Sequence, residues 1–144
     1  MAEQRIGQLN TGRKTDGNLK KFKPTTGYDL NGKRVLMAGY GDHKAVAEEV
    51  VLAHNGNELC LYDEKTRGKG IQTNLSKAIT HADIVLIMLN SVSHNTANHA
   101  ISIAREQHKL VAATNMNSPL AIEQAISRAI NHQPIYVPSH HIVE

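Results

Sequence analysis

The residues best equipped for chemistry fall in three short polar stretches, each directly after an apolar run: Gly39-Tyr-Gly-Asp-His43, Asn90-Ser-Val-Ser-His-Asn95 and Thr114-Asn-Met-Asn-Ser118. The first is a Gly-x-Gly turn opening a helix-forming segment. Glycine lets another group approach the backbone closely. A helix N-terminus aimed at such a turn offers free N–H groups and a positive dipole end, which suits an anion. The dinucleotide fingerprint is Gly-x-Gly-x-x-Gly, and Lys44 stands where its third glycine belongs. Two readings stay open: Gly39 and Gly41 cradle a phosphate, or they only make a tight strand-to-helix turn. Asp63, just after the second apolar run, lies near where a ribose-binding acid is expected, which favours a nucleotide.

The other two stretches bring hydroxyls, amides and an imidazole: Ser91, Ser93, His94 and Asn95 from one, Asn115 and Asn117 from the other. Together with Gly39, Tyr40, Gly41, Asp42 and His43 they form a candidate binding site for a nucleotide or another small anion. The chain holds nine histidines, so haem or a transition metal is an alternative ligand. His43 and His94 are the candidate metal ligands, with a third from the His140-His141 tail. His94 and His99 diverge around their helix and cannot share one metal. His54, His81, His108 and His132 stand at helix ends, where histidine is common for dipole reasons alone. His94 also has a plain reading as a capping or core-edge residue. Catalysis has little support. Ser93 with His94, and Asp42 with His43, are chain neighbours, and successive helical side chains diverge. No Gly-x-Ser-x-Gly elbow, His-x-x-x-His pair or Walker A loop occurs.

Four strand–helix units must position these stretches. Arg34–Ala38, Glu58–Tyr62, Asp83–Leu89 and Lys109–Ala113 read as strands, and Ile135–Val137 as a possible short fifth. Apolar stripes at 3.6 spacing mark helices over Lys44–Asn55, from Ile71 to Ala82, after Asn95 through Ala104, and from Pro119 through Ile130. Asn55-Gly56 reads as a helix stop, with glycine in the left-handed position. Ser91 and Ser93 are both possible N-caps, and Ser118 is one with Pro119 at the first helical position. Strict alternation of strand and helix implies a three-layer α/β fold, a Rossmann-like parallel sheet of four to five strands with helices on both faces. Asp83-Ile-Val-Leu-Ile-Met-Leu89 suits a strand covered on both faces, beside the first strand. The more polar second strand suits an edge. The expected order is therefore 2-1-3-4. Ligands bind such sheets outside the carboxyl ends of the strands, where the three polar stretches converge.

Length and composition set the frame. A chain of 144 residues, 40% hydrophobic, is sized for one domain with an aliphatic core. Residues 1–33 lack periodicity and carry seven basic against three acidic residues, whereas the remainder carries nine against ten. We expect an N-terminal arm over 1–33, flexible or draped on a partner, and a single domain over 34–144. Basic residues within 13–23 offer a nucleic-acid contact, with a solvated tail as the plainer reading. Cys60 is the only cysteine and lies inside a strand, so a buried structural thiol is expected rather than a nucleophile. No apolar run reaches the ~20 residues of a membrane span and the N-terminus lacks a signal-peptide core, so a cytoplasmic protein is expected.

Ala82-Asp-Ile-Val-Leu86 at the third strand, then Val92-Ser-His-Asn95 opening a helix, after a glycine-rich first turn, resemble the bacterial family known as domain of unknown function 2325. The resemblance spans about residues 34–125. It implies a Rossmann-like fold and a homo-oligomer, and supplies no settled activity. The first turn here is Gly-Tyr-Gly and the corner is Asn90-Ser91, where the family usually has paired glycines and often an acid. The residues themselves point to a small-ligand sensor or regulator more than to an enzyme.

Overall fold

The computed structural model describes residues 22–63 and 71–136. Four parallel strands form one sheet: β1 (Val35–Ala38), β2 (Leu59–Tyr62), β3 (Ile84–Met88) and β4 (Leu110–Thr114), in the order β2-β1-β3-β4. The helices are α1 (Lys44–Ala53), α2 (Ile71–Thr80), α3 (His94–Glu106) and α4 (Pro119–Ile130). Every residue of β1 and β3 is buried, as two covered faces require. Side chains alternate across the sheet and divide the core in two. Val35, Met37, Ile84 and Leu86 pack with α1 and α4. Leu36, Val85 and Ile87 pack with α2 and α3. Burial of each such side chain is worth about 1.5–3 kcal/mol. The three-layer fold and strand order are those the patterning predicts.

Local differences have physical causes. Asn55, not Gly56, takes the left-handed conformation after α1 (φ 66°). Gly56 is there for space: a Cβ would meet Val51 Cγ1 at 2.6 Å and Leu30 Cδ1 at 2.8 Å. At the C-terminal end, Ile135 gives one backbone bond, accepting from Ala113 N (2.8 Å), and no ladder forms among the described residues. Val137 lies outside them. Cys60, expected to be buried, is exposed, because it lies on the edge strand β2, whose middle residues are not fully covered.

The described end of the expected arm, residues 22–33, lies against the domain itself. Leu30 is fully buried in the core under α1 and α4. The polar tie is Glu123, a carboxylate on α4 with no exposed side-chain surface. It accepts from Thr25 N (2.9 Å), Thr25 Oγ1 (2.5 Å) and His54 Nε2 (2.5 Å). His54 Nδ1 donates to the Tyr28 carbonyl (2.9 Å), and the Tyr28 hydroxyl donates to the Glu123 carbonyl (3.1 Å). The Tyr28 and His54 rings stack at 3.8 Å. Phe22 N adds a bond to Glu49 Oε2 (2.7 Å). A buried carboxylate is tolerable only when hydrogen-bonded in this way. Burial raises the Glu123 pKa, but the bonds from Thr25 and His54, with the His54 charge, outweigh it and leave the group below its ordinary value. Burial and the nearby Glu123 charge raise Tyr28 well above a normal phenol.

Two outcomes are expected. A carboxylate with a lowered folded pKa adds stability above its unfolded value, and that stability drains as pH falls through the folded value. Urea unfolding should therefore show stability falling as pH drops below the ordinary glutamate value of 4.5. Glu123→Gln should flatten that acid arm and cost about 3 kcal/mol or more at neutral pH; an unchanged acid arm would contradict the assignment. Second, a Cβ on Gly39 would meet Met88 Cγ at 2.8 Å and Cβ at 2.9 Å, whereas one on Gly41 meets nothing nearer than 3.7 Å. Gly39→Ala should cost about 1–3 kcal/mol through overpacking, and Gly41→Ala much less, by thermal or chemical unfolding.

Candidate functional site

The loops after β1, β3 and β4 meet at the carboxyl end of the sheet. Parallel pairing puts the strand ends side by side, Ala38 against Ile87 and Met88 against Thr114. Gly39 continues the ladder by donating its N–H to Tyr62 O (3.0 Å). It has no room for a side chain because Met88 and Ser91 press on it. A single 3-10 turn, Gly41–His43, then joins the strand to α1 and delivers His43 to the meeting point.

His43 is the hub. Its Nε2 accepts from Asn117 Nδ2 (2.9 Å), and its Nδ1 lies 3.5 Å from Ser91 Oγ. With Asn117 donating to Nε2, Nδ1 is the ring nitrogen that faces the Ser91 hydroxyl. One side chain from each of three loops thereby shares a hydrogen-bonded chain. Around it lies a recess of about 80 Å³, lined by His43, Ser91, Asn115 and Asn117 with Met88, Asn90, Thr114 and Met116. The Asn90 amide donates to the Asn115 carbonyl, tying the second loop to the third. The Thr114 hydroxyl accepts from Met116 N (3.2 Å) and fixes the turn that presents Asn117. Asn115 Oδ1 is buried without a partner among the described residues. Among the described residues, no Lys, Arg, Asp or Glu lines the recess.

Of the residues singled out from the sequence, His43, Ser91, Asn115 and Asn117 are brought together, with Gly39 behind them. The Tyr40 ring stands 5.9 Å from the His43 ring, tilted by 45°. The others lie outside the recess. Gly41 is exposed, and its N–H goes to the Asp63 carboxylate (3.0 Å). The chain's own acid thus takes the N–H that a phosphate would seek, and Asp63 serves the turn. Asp42 is exposed. Ser93, not Ser91, caps α3, accepting from Thr96 N (3.1 Å). His94 and Asn95 are exposed in the first turn of that helix and do not line the recess. No group of three or more His, Cys, Asp or Glu able to hold a metal occurs among the described residues. His140, His141 and residues 13–21 lie outside them. Asn90 and Thr114 were not singled out. Their flanking position in two of the three loops was the available signal, and only the bonds across the loops reveal their roles.

The arrangement suits recognition by neutral donors and acceptors. No helix among the described residues is long and apolar enough to cross a membrane.

No curated protein and no solved structure matches the chain. One family model does, over residues 35–129, from the first residue of β1 into the last turn of α4. That stretch contains all four strands and every residue of the recess. The chain belongs to the family described as uncharacterized protein conserved in bacteria, DUF2325.

Proposed function

We propose that the protein binds a small, nucleotide-type ligand at the three-loop recess and acts as a sensor or regulatory module rather than a catalyst. The observation that carries this reading is the engagement of both His43 ring nitrogens, by Asn117 and Ser91, at the end of a doubly covered parallel sheet. Among the described residues, amides and hydroxyls converge there without fixed charge. An anionic group would be held by N–H and amide donors near the N-termini of α3 and α4, not by an ion pair. A recess of about 80 Å³ admits one polar group of a ligand, since a water occupies about 30 Å³ of liquid. The rest of a nucleotide would lie across the loop rims, where Met116 is 43% exposed and offers an apolar surface. Placing Asp63 on Gly41 N–H supports this shift of the seat away from the glycine turn.

Calorimetric titration with a panel of nucleotides tests the proposal. At least one should bind with one-to-one stoichiometry. His43→Ala and Asn117→Ala should each weaken it about tenfold, the worth of a hydrogen bond near 1.4 kcal/mol. Absence of binding, or affinity unchanged from the parent in both variants, refutes it. Gly41→Ala, which leaves the N–H in place, should bind as the parent does.

A further inference from the structure

The larger concavity lies at the opposite end of the molecule. Past the ends of α3 and α4, a pocket of about 400 Å³ opens beside the outer edge of β4. That volume lies within the range of small-molecule sites. Its apolar wall is Leu110, Val111, Ala129 and Ile135. Its polar wall is basic: Arg105, His108, Lys109 and His132, with Gln133 and, among the described residues, no acidic side chain. Arg105 comes from the end of α3 and Lys109 from the residue before β4, where its Nζ donates to Thr80 O (3.2 Å) and keeps further N–H groups for a ligand, and the histidines come from two different helix ends. Both histidines hold left-handed backbone conformations, φ 60° for His108 and 56° for His132, which non-glycine residues seldom adopt.

The strand edge adds a donor. Leu110 N bonds to Asp83 O on the β3 side (3.3 Å), while Ala113 N bonds outward to Ile135 O (2.8 Å). Alternation then turns the Val111 N–H outward as well, into the pocket its residue lines. The Ile135 bond closes the pocket above, so the pocket accepts a compact ligand and not a long added strand. Helix-end dipoles explain one cation at each terminus. They do not explain why those cations and an outward N–H meet over an apolar wall.

We propose that this pocket is a second ligand site, for a small amphiphilic anion: a carboxylate, sulfonate or phosphate monoester carrying an aliphatic or aromatic body. The head pairs with Arg105 and Lys109 and accepts from Val111 N–H, and the body lies on Leu110, Val111 and Ile135. The site is separate from the three-loop recess and does not rest on its assignment.

The test uses the full chain and the fluorescent anion 8-anilinonaphthalene-1-sulfonate. Its emission should rise saturably with one-to-one stoichiometry. Octanoate and hexyl phosphate should displace it, and hexylammonium should not. The double variant Arg105→Glu/Lys109→Glu should weaken binding at least tenfold. Val111→Pro, which removes the outward N–H at a sheet edge where proline is tolerated and also changes the side chain in the apolar wall, should weaken it severalfold, and Val111→Ala, which keeps the N–H, should weaken it less. Circular dichroism melting should show these variants folded, and His43→Ala should bind the probe normally. Full affinity in the double variant, displacement by hexylammonium, loss of binding in His43→Ala, or no saturable emission would each overturn the proposal. Displacement by inorganic phosphate as effective as by octanoate would reduce the site to a plain anion site and overturn the amphiphile assignment.

Discussion

Parallel pairing of β1 with β3 is the contact on which the rest of the molecule depends. It joins the two fully buried strands and sets Ala38 against Ile87. Because the strands run the same way, their following loops leave from the same end. The close packing of Met88 on Gly39 shows how tightly that end is drawn together. A bulkier residue at position 39 would push the first loop from the second, and with it His43 from Ser91. The recess is thus a consequence of backbone packing before it is a matter of polar side chains.

A second constraint holds the opposite face. Glu123 on α4 would be costly to bury alone. It is buried because Thr25 and His54 supply its hydrogen bonds, and His54 in turn holds the Tyr28 carbonyl. One carboxylate thereby joins α4, the end of α1 and the segment leading into β1. The core seen from the strands and helices extends to Leu30 and to the chain around it.

The chemical character of the recess follows from what the fold does with its charges. Asp63 is taken up by the glycine turn, and Glu123 by the far face. Among the described residues, amides, hydroxyls and one imidazole remain at the three loops, with the imidazole between an amide and a serine. The strongly basic wall lies instead at the other end, beside β4.

Much of this architecture was legible in the chain. The unbroken apolar run Ile84–Met88 required two covered faces, the polar second strand required an edge, and the alternation of strands with helices required parallel pairing. Ser118 and Pro119 marked the start of α4 because capping is a local interaction. The convergence of three polar loops followed from topology. The partners inside that convergence did not. His94 and His43 looked alike as candidate ligands, yet one lines the recess and the other is exposed. Nor did periodicity reveal that Glu123 lies inside, because a charged residue on a helix reads as solvated unless its partners, here 98 and 69 positions away, are known. By itself, then, the sequence determined the elements, their order and the end of the sheet where the three polar loops converge, since these rest on local preference and hydrophobic spacing. Only the tertiary structure decided that Asp63 closes the glycine turn and that His43, Ser91 and Asn117 share one hydrogen-bonded chain, because hydrogen bonds across loops depend on distances that no sequence spacing encodes.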